Sequence, residues 1–159
     1  PRPRRKRSDV TPELNAAALD FLFWFSRFEY ALKKHGYLKS TDTGKKAEPN
    51  WDMFVKRNRN KYTPSPAALA LVKARPKQQV VASNAQLAWQ ELQFAETEFE
   101  LQKVTLLLRL VRNNLFHGGK PGDSNWDDPK KLVPLLHTSR ATLDELAAFA
   151  GFKGDYDRA

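Results

Sequence analysis

The sequence predicts an all-α fold, and three observations carry the prediction. Apolar residues recur at steps of three and four along several stretches, the mark of a helix with one buried stripe. Residues that cap helices stand at the starts of those stretches, and glycines or prolines follow their ends. No segment alternates apolar and polar residues with period two for long enough to read as a strand.

Residues 1–10, PRPRRKRSDV, hold five basic residues in the first seven positions and two prolines. They are expected to form a disordered basic arm, because such a segment cannot bury enough apolar surface to offset ordering. Thr11 then reads as an N-cap, with Pro12 at the first helical position, opening a helix that runs to about His35 and stops at Gly36. Leu14, Ala18, Phe21, Phe25, Phe28 and Leu32 form its stripe. Leu22, Phe23, Trp24 and Tyr30 extend the apolar surface. Such a helix is either central to its own chain or shared with a second subunit. Arg27 and Glu29 interrupt it and need partners wherever they are buried.

Residues 36–83 make a long irregular middle segment. Within it Asn50 caps a short helix, Trp51 to Arg57, and Ser65-Pro66 opens another that ends near Arg75-Pro76. The basic run KRNRNK, Lys56 to Lys61, reads equally as a solvated loop or as a contact for backbone phosphates. Residues 84–95, NAQLAWQELQFA, look helical and are expected to lead into the helix that follows.

That helix is the centre of the chain. Leu101, Val104, Leu108, Val111 and Leu115 form its buried stripe. Arg109, Arg112, Asn113 and Phe116 fall on a different face at i, i+3, i+4 and i+7. His117 comes one turn after Asn113, and Gly118-Gly119 ends the helix. A turn-rich loop, KPGDSNWDDP, follows, with Asp127 or Asp128 capping a last helix that starts at Pro129. Leu132, Leu136, Leu143, Leu146 and Ala150 form that helix's stripe, Pro134 should kink or delay its first turn, and Gly151 ends it. The expected organisation is a basic arm (1–10), one domain (11–152) and a C-terminal tail (153–159).

At 159 residues, 41% of them hydrophobic, the chain is long enough for one domain with its own core. Its mean hydropathy of −0.64 argues against a membrane protein. Its most apolar run, Phe21 to Phe25, falls far short of the ~20 residues a spanning helix needs. The basic amino-terminus leads into polar sequence rather than an apolar core, so no signal peptide is expected. The absence of cysteine excludes disulfides, thiol nucleophiles and zinc–thiolate sites, and fits a cytoplasmic location. The net charge of +9 is uneven: residues 1–80 carry 18 Lys and Arg against 7 Asp and Glu, and residues 81–159 carry 9 against 11. A basic half suits a polyanionic partner such as nucleic acid, although charge alone does not separate that from a solvated surface.

Arg112-Asn113-Asn114-Leu115-Phe116-His117, followed by Gly118-Gly119-Lys120, resembles the Arg-polar-x-x-x-His signature of HEPN domains. The specific match covers residues 112–117, with looser support from Glu29 and the Gly-Gly-Lys. The resemblance implies an all-α, HEPN-like helical bundle and a metal-independent endoribonuclease of the kind found in toxin–antitoxin and antiphage systems. It assigns catalysis to Arg112, Asn113 and His117, with RNA as substrate and no cofactor; beside them Arg109 and Lys120 are read as candidate substrate-binding residues. It also implies an antitoxin or defence-system partner protein. A homodimer is expected on geometric grounds, with the apolar face around Phe23 and Trp24 as its contact. Gly119 stands where toxins modified on a tyrosine carry that tyrosine, so this route of inactivation is not expected. The alternative is a non-catalytic HEPN-like module that binds RNA, nucleotide or a partner.

The chemistry of the residues fits independently of the resemblance. Cleaving RNA without a metal needs a base, an acid and charge stabilisation at phosphorus. Histidine, with an ordinary pKa of ~6.5, can move a proton either way near neutrality. Such catalysis typically contributes ~10²–10⁴-fold. Arginine stays charged and grips two phosphate oxygens at once. Residues five apart on a helix point about 140° away from each other. Arg112 and His117 therefore meet within one chain only if the helix unwinds near Phe116, and a two-fold dimer would supply a second histidine. His35 reads as a cap and His137 as structural. Arg109 could bind RNA or pair with Glu29. Asp123, Asp127 and Asp128 read as turn and cap residues, and no metal site is expected.

Overall fold

The computed structural model describes residues 11–117 and 129–158. Helix takes 63% of the described residues and strand 9%, so the chain is mainly helical but not purely so. Among them the order is α1 (Pro12–Lys34), α2 (Trp51–Asn58), α3 (Pro66–Ala74), β1 (Lys77–Val81), β2 (Leu87–Glu91), α4 (Glu100–His117), α5 (Pro129–Phe149) and α6 (Lys153–Asp157). The basic arm and the cap of α5 lie outside the described residues.

Helix starts follow the local chemistry that the sequence announces. Thr11 Oγ1 accepts from Leu14 N at 3.1 Å, Asn50 Oδ1 from Met53 N at 3.0 Å, and Ser65 Oγ from Ala68 N at 3.1 Å. Each satisfies an amide that the first turn would otherwise leave open. α1 ends at His35, and Gly36 takes a φ of +84°, a left-handed turn open to a residue without Cβ. Pro134 sits inside α5, five residues beyond its start.

α5 packs along α1 and α3, while α4 packs on α2, α3 and β1. Phe21, Phe28, Leu71, Leu108, Leu136 and Leu143 are all fully buried in one core drawn from these helices. An aromatic cluster joins α1 to α2, with the Trp51 ring stacked 5.2 Å from Phe28 and 5.6 Å from Phe25. Phe54 and Phe152 close it from two other sides.

Three expectations need correction. Residues 84–95 are not helical: Lys77–Val81 and Leu87–Glu91 pair as an antiparallel hairpin, with Gln79 opposite Trp89. α3 stops at Arg75, which takes a left-handed φ of 47°, and the buried Pro76 sends the chain out extended. The hairpin turns through Asn84 and Ala85, both at positive φ. α4 therefore starts afresh at Glu100, separated from β2 by eight residues. Secondly, the middle segment is less irregular than expected. Its loop is tied by a Leu38–Pro49 bridge, with Asn50 N donating to Tyr37 O at 2.8 Å.

Thirdly, residues 153–157 are not a loose tail but the short helix α6, folded onto α1. Phe152 and Tyr156, four apart, are both buried. The Arg27 guanidinium donates to the carbonyls of Tyr156, Asp155 and Arg158, and so holds the end of α6. Glu29 accepts from Trp51 Nε1 at 2.8 Å. Both charged residues that interrupt the face of α1 thus have partners.

Candidate active site

α4 is buried on most of its circumference. Leu101, Val104, Leu107, Leu108, Leu110 and Val111 all face the core. Glu100 in its first turn suits the positive end of the helix dipole and pairs with Lys103 at 2.9 Å. What remains open is one stripe, and it carries the residues singled out in the sequence.

Near the end of that stripe Arg112 touches both Asn113 and Phe116. Arg112 Nη1 donates to Asn113 Oδ1 at 3.1 Å, and the guanidinium lies 4.2 Å from the Phe116 ring centroid. Phe116 is 60% exposed. An arginine stacked on an exposed ring with an amide for its neighbour is positioned while keeping its charge available, the state an anion-binding residue needs. One turn back, the Arg109 guanidinium lies 5.9 Å from the Trp51 ring, whose N–H is committed to Glu29. Arg109 and Glu29 thus meet through the indole rather than as an ion pair.

The two adjacent asparagines have different surroundings. Asn113 is exposed, whereas Asn114 is buried and donates from Nδ2 to the carbonyl of Lys77 at 2.9 Å. Asn114 fastens β1 to α4, a structural task that the sequence motif does not separate from the role of its neighbour.

α4 stays helical through position 117. Unwinding near Phe116 does not occur, so positions 112 and 117 remain about 140° apart around the axis. The His117 side chain lies outside the described residues, as do Gly118, Gly119, Lys120, Asp123, Asp127 and Asp128. Of the other histidines, His35 is the C-cap of α1 with Nε2 2.9 Å from Asp155 Oδ2, and His137 is exposed on α5.

A cavity of about 260 Å³ lies between the end of α3, the segment after β2 and α4. Of the charged groups that line it, Arg75 sits 3.7 Å from Glu91 and Lys103 pairs with Glu100, while Glu96 lines it as well. Burial, with Glu145 and Glu100 nearby, pushes the Tyr62 hydroxyl up to about 12. Burial and the Asp144 carboxylate raise Glu145, and burial and a 2.6 Å hydrogen bond to Asp144 raise Tyr156. These groups belong to the packing of α5 and α6. Among the described residues no cluster of three or more His, Asp or Glu could hold a metal ion, and no helix is long and apolar enough to cross a membrane.

No family model, curated protein or solved structure matches this chain.

Proposed function

We propose that the chain is a metal-independent endoribonuclease of HEPN type, a cytoplasmic toxin or antiphage effector held in check by a partner protein. The observation that carries this reading is Arg112: half-buried, braced by Asn113 and Phe116, and in no ion pair among the described residues. In the reaction the 2′-oxygen attacks the adjacent phosphorus while the bond from phosphorus to the 5′-oxygen breaks. A base takes the 2′-hydroxyl proton, an acid returns one to the leaving 5′-oxygen, and a 2′,3′-cyclic phosphate remains. Arg112 binds the non-bridging oxygens as charge builds on them, His117 moves protons, and Asn113 orients either partner. Arg109 and Lys120 add phosphate contacts.

Because α4 runs unbroken to position 117, the reading requires a homodimer in which Arg112 of one copy works with His117 of its partner. The outer face of α1 offers a contact: Leu19, Phe23 and Tyr30 are exposed along it, whereas Trp24 is turned inward against Tyr156. His117→Ala should abolish cleavage while leaving the protein folded, and light scattering should give twice the monomer mass. Intact RNA with folded wild-type protein, or equal cleavage by the variant, refutes the enzyme reading. The same unbroken helix favours, as the second reading, an RNA-binding module without turnover. Binding insensitive to His117 and cleavage-free would select it.

A further inference from the structure

We propose that the outward stripe of α4, together with the end of α2, is a track for single-stranded nucleic acid, with a base-stacking aromatic at each end. This deepens the ribonuclease reading, on which its substrate class rests, by specifying unpaired RNA bound in extended form.

Phe99 precedes α4, but its carbonyl accepts from Lys103 N at 3.2 Å, so it already belongs to the helical pattern. Phe99, Gln102, Leu106, Arg109, Asn113 and Phe116 then follow at alternating steps of three and four. At 100° per residue they occupy about 100° of arc, one continuous strip. None of the six is buried, and the core residues of α4 fill the arc outside it. Leu106, midway along, is half-buried and gives the strip an apolar floor between its polar residues. The strip is about 25 Å long from first to last residue, at 1.5 Å per residue.

α2 lies alongside, packed on α4, and its residues match the strip in reverse order. Trp51, at the start of α2, is under Arg109. Arg59, at its end, lies 4.5 Å from the ring of Phe99. Asp52, Val55, Lys56 and Arg59 share with Glu98 and Phe99 a depression of about 310 Å³. Three arginines thus lie over aromatic rings on or beside the strip: Arg59 over Phe99 at 4.5 Å, Arg109 over Trp51 at 5.9 Å and Arg112 over Phe116 at 4.2 Å. Lys56 adds a fourth cation, and Asp52 and Glu98 are the carboxylates set against them at one end.

This combination fits a single strand better than a duplex. Unpaired bases expose their faces, and those faces stack on aromatic rings and on guanidinium planes. A duplex hides its bases and would use only the charges. Phe99 and Phe116 are 38% and 60% exposed, so each retains ring surface for a base, whereas Trp51 is buried and serves to brace Arg109. The spacing sets the length. A trinucleotide cannot span about 25 Å with stacking at both ends, and an octanucleotide can. An acidic protein surface would satisfy the cations but leave the two rings without purpose.

The test uses the full chain and fluorescein-labelled 2′-O-methyl uridine oligonucleotides, which bind but lack the attacking hydroxyl. Anisotropy should show the octamer bound more tightly than the trimer and than a 2′-O-methyl duplex of eight pairs. Phe99→Ala and Phe116→Ala should each weaken the octamer by about 5- to 160-fold. Phe99→Ala should also bring the octamer close to the trimer. Phe99→Trp and Phe116→Trp, which keep a stacking ring, should restore binding. Arg59→Gln should lower the dependence of log K on log salt by about 0.7, the value for one phosphate of a single strand. Leu69→Ser, exposed on α3 and away from the strip, is the control and should change nothing. Equal binding of duplex and octamer, wild-type affinity in both alanine variants with native circular dichroism, or equally tight binding of polyglutamate overturns the track. Cleavage of ordinary RNA is scored separately. Cleavage without ring-dependent binding leaves the nuclease and removes the track, and ring-dependent binding without cleavage does the reverse.

Discussion

Replacing Asn113 and Asn114 one at a time by alanine should separate function from folding at adjacent positions. Asn114 is buried and its amide donates to the Lys77 carbonyl at 2.9 Å. Removing it deletes a hydrogen bond worth about 0.5–1.5 kcal/mol net and leaves a buried gap, for a total of about 1–2 kcal/mol. In a chain of this size each kcal/mol moves the melting temperature by about 2–4 °C, so a fall of about 2–8 °C is expected. Asn113 is exposed and its oxygen accepts from Arg112, so Asn113→Ala should stay within about 0.5 kcal/mol of wild type. On the proposed ribonuclease reading its cost should appear instead in RNA cleavage, as a loss of about 10²-fold, comparable to removing one preorganised donor. Thermal melting by circular dichroism and a cleavage assay at fixed temperature read the two effects. If Asn113→Ala destabilises as much as Asn114→Ala, or Asn114→Ala melts like wild type, the division of labour is wrong.

Other outcomes follow from groups away from the site. Tyr62 is raised to about 12 in the folded chain, so the neutral hydroxyl is favoured by folding. Its contribution should be complete below about pH 10 and decline as pH rises towards 12, and Tyr62→Phe should flatten that decline in urea titrations. Glu145 is also raised, which makes its charged form unfavourable at neutral pH, and its Oε2 is buried without a hydrogen-bond partner among the described residues. Glu145→Gln should therefore raise the melting temperature at pH 7, with the gain shrinking as pH falls through the carboxylate range. Arg27→Ala frees the end of α6 and should cost about 1–3 kcal/mol, with faster amide exchange at Tyr156 than in the body of α1.

The helices were legible where side-chain chemistry is local. Thr11, Asn50 and Ser65 cap the amides that their positions in the sequence imply, and the stripes of α1, α4 and α5 are buried apart from Ala18, Leu115 and Ala150, which are half-buried. The hairpin was hidden for two reasons. Alanine, glutamine, leucine and glutamate in NAQLAWQELQFA are good helix formers, and no glycine marks the turn. Ala85 takes a positive φ of 56°, which sequence rules would not assign to alanine. Pairing of β1 with β2, and the tether from Asn114, override those propensities. The signal that could have revealed it was Arg75-Pro76 followed by Val80-Val81, a breaker before a β-branched pair. α6 was missed because Gly154, Asp155, Tyr156 and Asp157 are weak helix formers, and burial of Phe152 and Tyr156 decides its fold. At the site, Arg112 with Phe116 was readable from spacing alone. Phe99 and Trp51 were not, because the contact of α2 with α4 is tertiary.

The most direct measurement is cleavage of a defined single-stranded RNA by purified wild type, Arg112→Ala and His117→Ala in chelator, with fragment ends mapped. The account predicts cutting by wild type alone, with 2′,3′-cyclic phosphate and 5′-hydroxyl ends, and partial recovery when the two inactive variants are mixed to form heterodimers. Wild type that leaves RNA intact, activity that survives either substitution, or cutting that stops in chelator would contradict it.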